Sequence, residues 1–235
     1  QTTIAWVVAI ICAIICAFVL IGGIQRLADV CALMVPFMAV IYIVAAFIVI
    51  GANVSAVPDA FSAIFVGAFN PGAVAGGLAG VGIKTALTKG VGRGIFSNEA
   101  GLGSAPIAHA AADVDHPVKQ GIYGVFEVFM DTIVVCTMTA LVVLTSGVIN
   151  LETGALIQGA TDANLVAKAF SGLFGVWGER FIAIAILLFA FTTVLGWDHY
   201  GSKAWEYLFG AKTTVIFRII HVCTVIFGAV LTSSL

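Results

Sequence analysis

Residues 96–106 read FSNEAGLGSAP. Ser97, Asn98, Glu99 and Ser104 stand there with Gly101, Gly103 and Pro106, inside sequence that is otherwise mostly Ile, Val, Ala and Phe. In hydrocarbon every backbone polar group must be satisfied within its own segment, so non-helical backbone persists only inside protein or against a water-filled cavity. Gly101 and Gly103 let the chain leave helical geometry at small steric cost. Ser104 is a good N-cap, and Pro106 suits a first helical turn because its missing N–H would have no intrahelical partner. The pattern predicts a helix from about Gly82 to Asn98 and a second one after Ser104, two half-helices meeting near mid-membrane. The end of the first presents carbonyls, which attract a cation or an ammonium group; the start of the second presents N–H groups, which attract a carboxylate. A small zwitterion with a metal cation suits both. Close packing of two helices on small residues is the competing explanation. It accounts for the glycines but not for Asn98 and Glu99, which are costly in a membrane unless they face a polar interior.

The elements that must position this stretch follow from composition. Hydrophobic residues make up 61 % of the 235-residue chain and charged ones 9 %, against about 25 % charged in a soluble domain, and the mean hydropathy is +1.15. These values indicate an all-α membrane protein, with lipid as its surroundings. A net charge of −2 with scattered basic residues argues against nucleic acid as a partner. A spanning helix needs about 20 apolar residues. Runs at 4–24, 33–52, 121–148, 181–208 and 213–234 approach that, and residues 82–112 form a sixth, broken span near 98–103. Residues 58–72 are too short to span and are expected on the membrane surface. Residues 149–178 read as a soluble loop. Gln1 is not an initiator Met and no signal peptide is visible, so the chain reads as a piece of something longer. Alternation of six spans puts Arg26, Lys119, Lys203 and Lys212 on one side, which the positive-inside rule makes cytoplasmic when Lys84, Lys89 and Arg93 count as part of the broken span.

Other charged or reactive residues carry less. Glu127 and Asp131 are spaced i, i+4 on one face, so each needs a polar partner or one is protonated. Asp198, His199, Lys203 and Glu206 fall near a helix end where side chains reach water, as gating or interfacial residues. Arg218 and His221, one turn apart, extend toward headgroups without an evident function. The five cysteines show neither metal-ligand nor redox spacing and read as packing residues. Residues 77–85, GLAGVGIKT, fail the phosphate-loop pattern because Ile83 separates Gly82 from Lys84. No arrangement of Ser, His or paired Asp supports an enzyme.

The stretch GVGRGIFSNEAGLGSAPIAHAAA at 90–112 resembles the alanine or glycine:cation symporters, as do HPVKQG at 116–121, DTIVVCTMTALVVL at 131–144 and LFAFTTVLGWDHYGSKAWEYLFG at 188–210. The resemblance implies a leucine-transporter-type fold of two inverted five-helix repeats, of which residues 1–235 would be helices four to nine in one transmembrane domain. It implies that Phe96 covers the substrate, that Ser97 lies near a sodium site, and that Asn98, Glu99, Ala100, Gly101, Leu102 and Gly103 line the pocket. Glu99 stands where related carriers often have a neutral hydroxyl, so it either partners a charge or points elsewhere. Thr192 and Thr193 fall about 17 Å into their span at 1.5 Å per residue. The resemblance makes them Na+ ligands, whereas an isolated membrane threonine ordinarily bonds back to its own helix. Trp197 either borders the substrate or packs.

These readings combine into a secondary active transporter of the plasma (inner) membrane that couples Na+ to alanine or glycine by alternating access, without an enzyme cofactor. An uncoupled channel or facilitator, a membrane enzyme and a non-transporting helix bundle are the alternatives. The sequence does not address oligomeric state.

Overall fold

The computed structural model describes residues 2–69, 81–99, 101–157, 159–161 and 164–230. Ten α-helices carry these residues: α1 Thr2–Ile21, α2 Gly23–Ala52, α3 Val57–Phe69, α4 Val81–Ser97, α5 Ala105–His109, α6 Pro117–Val128, α7 Thr137–Thr145, α8 Leu165–Phe174, α9 Val176–Phe209 and α10 Thr214–Val230. A π-helical stretch, Phe129–Cys136, joins α6 to α7 without a break. Among the described residues the extended structure amounts to one antiparallel bridge, between Ile149 and Leu156. The fold class is therefore all-α. Among the described residues four helical segments are long and apolar enough to cross a membrane: Gly23–Ala52, Pro117–Thr145, Val176–Phe209 and Ala211–Gly228. Trp6–Ile21 is apolar but shorter.

Several boundaries differ from the sequence-based expectation. The helix expected from residue 33 begins at Gly23, so Arg26 is helical and not in a loop. Gly23 holds φ 74° just after α1 ends, and the residues that follow are mostly good helix formers. Arg26 donates to the Phe18 carbonyl at 3.1 Å, with its guanidinium 4.9 Å from the centre of the Phe18 ring. Residues 149–178, expected as a soluble loop, contain α8, whose Leu165, Ala169 and Phe170 share a face; Phe170 is fully buried. Burial of an apolar stripe stabilises this short helix more than its propensity does. Helix α3 covers most of the segment expected on the membrane surface; one side packs against α7 and buries Ala60 completely, while Phe61, Phe65 and Val66 are exposed. Residues 70–72 of that expectation lie outside the described residues.

The chain divides into two compact units. The first takes Gln1–Ala39, Pro106–Ala111 and Ala185–Leu235. In it α1 packs along α10, around a core of Cys16, Val19, Leu20, Leu27 and Leu195. The second takes Val40–Ala105 and Ala112–Ile184. Its core holds Tyr42, Val49, Val142, Phe170 and Ile182. The rings of Tyr42 and Phe181 lie 5.9 and 5.8 Å from Phe170, distances within the favourable aromatic range. The Tyr42 hydroxyl shares a 2.6 Å hydrogen bond with Thr139, which satisfies it inside that apolar setting.

Candidate functional site

Helix α4 ends at Ser97 and α5 begins at Ala105, and of the residues between them 98, 99 and 101–104 are described and non-helical. Gly101 and Gly103 hold φ of 80° and 78°, and Glu99, at φ 51°, is the non-glycine residue with positive φ among the described residues. The left-handed region costs an L-residue roughly 1–2 kcal/mol, which local bonds must offset. Two are visible. Leu102 N–H donates to the Glu99 carbonyl at 3.1 Å, and the Ser104 hydroxyl donates to Glu99 Oε2 at 2.8 Å. Ser104, expected to cap the second helix, is thus turned toward the carboxylate. A charge-assisted bond is about twice as strong as a neutral one, which explains the choice.

The expected carbonyls at the end of α4 are partly engaged. The Asn98 backbone and its Nδ2 both donate to the Gly94 carbonyl, at 3.2 and 3.0 Å, and Glu99 N–H donates to the Phe96 carbonyl at 3.3 Å. Phe96 and Leu102 are exposed, at 61 % and 48 %. Ala100 lies outside the described residues.

The π-helical stretch meets this interruption. Ser97 Oγ donates to Asp131 Oδ2 at 2.6 Å, and Thr132 Oγ1 donates to Asn98 Oδ1 at 2.9 Å. Two adjacent residues of the motif therefore bond to two adjacent residues of the stretch. Widened i→i+5 turns recur at functional sites because they redirect side chains that a regular helix would aim elsewhere. The i, i+4 spacing from Glu127 singles out Asp131 as needing a polar partner, and Ser97 is that partner. Thr132 carries no comparable signal. Its role emerges only when the two segments are seen together.

Thr192, Thr193 and Trp197 belong to the first unit. Thr192 donates to the carbonyls of Leu188 and Phe189 at 3.2 and 3.0 Å, and Thr193 donates to Phe189 at 2.8 Å. Both hydroxyl protons are thus spent on the helix, as an ordinary membrane threonine spends them, while the oxygen lone pairs remain available to a hard cation. The pair fits Na+ to that extent. The Trp197 ring meets Tyr200 edge-on at 5.9 Å.

Asp198, expected to reach water, is 1 % exposed. Ser202 donates to its Oδ2 at 3.4 Å and Arg218 Nε stands 3.9 Å from the same oxygen. Arg218 and His221, expected to extend toward headgroups, instead turn toward α9, where His221 Nε2 bonds the Val194 carbonyl at 3.2 Å. In an apolar bundle these polar groups find partners on the facing helix before they find solvent.

The model of the sodium:alanine symporter family matches residues 1–235. The chain is 44 % identical over 217 residues to a protein of Methanococcus maripaludis named sodium/alanine symporter AgcS, covering 92 % of this chain and 46 % of that one. It is 39 % identical to the amino-acid carrier protein AlsT of Bacillus subtilis, covering 95 % of this chain and 46 % of the relative. It is 38 % identical to the same organism's probable sodium/glutamine symporter GlnT, covering 90 % and 42 %. The chain spans about half the length of the curated relatives it matches. This is a multi-pass integral membrane protein of a family of transporters and not of enzymes, and the chain belongs to the sodium:alanine symporter family.

Proposed function

We propose that the protein of which this chain is part couples Na+ to the uptake of a small neutral amino acid, alanine or glycine, across the plasma membrane by alternating access. The observation that carries the reading is the interruption between Ser97 and Ala105, with positive φ at Glu99, Gly101 and Gly103, bonded through Ser97 and Asn98 to Asp131 and Thr132. Non-helical backbone of this kind in a membrane bundle supplies peptide dipoles to a solute. The fold proposed is the leucine-transporter type, with residues 1–235 as helices four to nine and six spans, α4 and α5 being the halves of the broken one.

In this reading Phe96, Asn98, Glu99, Ala100, Gly101, Leu102, Gly103 and Trp197 surround the amino acid, and Ser97, Thr192 and Thr193 hold sodium. The Asp131 carboxylate beside Ser97 supports a cation near that hydroxyl, because it supplies formal charge that the motif's own hydroxyl and amide lack. A cation and a zwitterion bound in one polar pocket each raise the other's affinity by the same factor. The names of relatives span alanine and glutamine as solutes, so the side-chain pocket and not the backbone site sets the choice between amino acids.

Labelled alanine uptake into vesicles containing the full-length protein tests this. Accumulation against a gradient is expected only when sodium is higher outside. Equal equilibration with and without the sodium gradient would show a facilitator.

A further inference from the structure

We infer that a cavity in the first unit is a second, sodium-independent station for a zwitterionic amino acid, whose ammonium takes Glu206 and whose carboxylate takes Lys203. The inference rests on the amino-acid transport proposed above. The cavity encloses about 770 Å³ between α5, the C-terminal part of α9 and the start of α10, a size typical of small-molecule sites. Helix α5, which contributes Pro106 and Ile107 to the lining, is the next helix in the chain after the one that ends at Ser97. Part of the lining is apolar, with Ile24 and Ala110 beside those two residues, and part is charged, with Lys203, Glu206 and Arg218.

The two ion pairs at the cavity differ in how readily they open. Arg218 Nε lies 3.9 Å from Oδ2 of Asp198, whose side chain is 2 % exposed. Drawing the arginine away would strand a buried carboxylate, so this pair stays closed. Lys203 Nζ lies 2.9 Å from Glu206 Oε2, and both side chains are accessible, at 52 % and 38 %. Such a pair holds weakly, because water competes for both charges. Its placement weakens it further. Glu206 falls in the last turn of α9, which ends at Phe209, where the helix carbonyls disfavour an anion, and a lysine preceding the glutamate is the poorer order of the two.

A lone cation or anion entering here would satisfy one of these side chains and leave the other uncompensated. An α-amino acid carries an ammonium and a carboxylate on the same carbon, so it inserts between Lys203 and Glu206 and neutralises each. Both new contacts are charge-assisted hydrogen bonds, and the site stays neutral without a sodium ion. The apolar part of the lining suits a small aliphatic side chain. Helix α9 has 34 residues, or about 51 Å at 1.5 Å per residue, longer than the ~30 Å hydrocarbon layer. It therefore extends beyond the hydrocarbon, and its last turns, with Lys203 and Glu206, lie where a solute arrives from or leaves to water.

Binding of labelled alanine to the full-length protein in detergent is measured by equilibrium dialysis, with sodium and with choline in its place. The expected result is a weak site that persists in choline. Its affinity falls roughly tenfold or more in Lys203→Gln and in Glu206→Gln. It is kept in Lys212→Gln, whose lysine lies outside the lining, and restored in Lys203→Glu/Glu206→Lys, where the pair is reversed but complete; that recovery separates lost recognition from lost folding. Glycine displaces the label, whereas propionate, which lacks the ammonium, and alaninamide, which lacks the carboxylate, do not. Unchanged affinity in both single variants overturns the inference, as does displacement by propionate or alaninamide alone. Sodium-driven uptake into vesicles is read in parallel. Normal uptake with no binding in choline overturns this inference and leaves the transport reading standing, while binding in choline with the stated variant pattern upholds the site even where uptake fails.

Discussion

The Ser97 hydroxyl and the Asp131 carboxylate, separated by 34 positions in the chain, meet at 2.6 Å. That length is typical of a hydroxyl donating to an ionised oxygen, and it ties the interrupted helix to the π-helical stretch. A bond to a charged group contributes about 1.5–3 kcal/mol. Asp131→Ala is therefore expected to lower sodium-driven uptake roughly tenfold or more. Asp131→Asn keeps the shape and removes the charge; it is expected to raise the sodium concentration needed for half-maximal uptake. A sodium titration on both variants decides between a charge role and simple positioning, because an Asn variant with wild-type sodium dependence leaves Asp131 only the second.

Gly101 and Gly92 offer a contrast in backbone conformation alone. A Cβ on either would meet no atom within 4 Å, but Gly101 sits at φ 80° and Gly92 within α4. Gly101→Ala is expected to destabilise by roughly 1–2 kcal/mol, whereas Gly92→Ala stabilises by up to about 1 kcal/mol. Thermal unfolding of both variants in one detergent reads the difference in sign.

Gly178 and Gly201 differ in what stands against them. A Cβ on Gly178 would lie 2.6 Å from the Phe170 backbone carbonyl, and one on Gly201 would lie 2.2 Å from Cζ of the Phe217 ring. The ring tip can swing aside; the carbonyl moves only with its helix. Gly178→Ala is expected to cost about 1–3 kcal/mol and to lower the unfolding midpoint more than Gly201→Ala does. The reverse order would show that the ring, held by Trp205 at 5.7 Å and His221 at 6.0 Å, is the stiffer neighbour.

Arg218→Ala leaves the buried Asp198 carboxylate without its arginine, with the Ser202 hydroxyl and the neighbouring His221 and His199 still beside it. Breaking a buried pair from one side costs about 3–5 kcal/mol, while removing both charges is close to neutral. The double variant Asp198→Asn/Arg218→Gln is thus expected to unfold at a higher temperature than Arg218→Ala. Equal midpoints would mean that the pair contributes through packing only.

Thr192→Ala and Thr193→Ala are expected to raise the sodium concentration for half-maximal uptake several-fold while leaving uptake at saturating sodium near normal. Thr224→Ala, which removes a hydroxyl bonded to the His221 carbonyl at 2.7 Å in α10, serves as the control. Should the α9 variants match that control, their hydroxyls serve only the Leu188 and Phe189 carbonyls.

Much of the fold was legible in advance, because long apolar runs in lipid have one backbone solution. The all-α class, the long apolar helices Gly23–Ala52, Pro117–Thr145, Val176–Phe209 and Ala211–Gly228, and the end of a helix at Ser97 follow from residue type and order. The family is likewise written in the residues around that interruption. Ends of helices were less legible. Arg26 looked like a loop residue, but it is helical and its guanidinium reaches back to the carbonyl and ring of Phe18 in α1. Leu165–Phe174 looked like part of a soluble loop because Asn150, Glu152, Gln158, Asp162, Asn164 and Lys168 make residues 149–178 polar, while Phe170 anchors it in a core.

Pairings across the chain belong to the tertiary structure alone. The order of residues marks Asp131 and Asp198 as charges in apolar helices, and hence as groups that need company. It does not name Ser97 for one or Arg218 for the other, since a partner is chosen by which helix faces which and by the π-helical register that turns Asp131 and Thr132 toward Ser97 and Asn98. Local sequence sets helix, break and polarity through short-range sterics and hydration; the meeting of distant oxygens and cations depends on packing, which no single segment encodes.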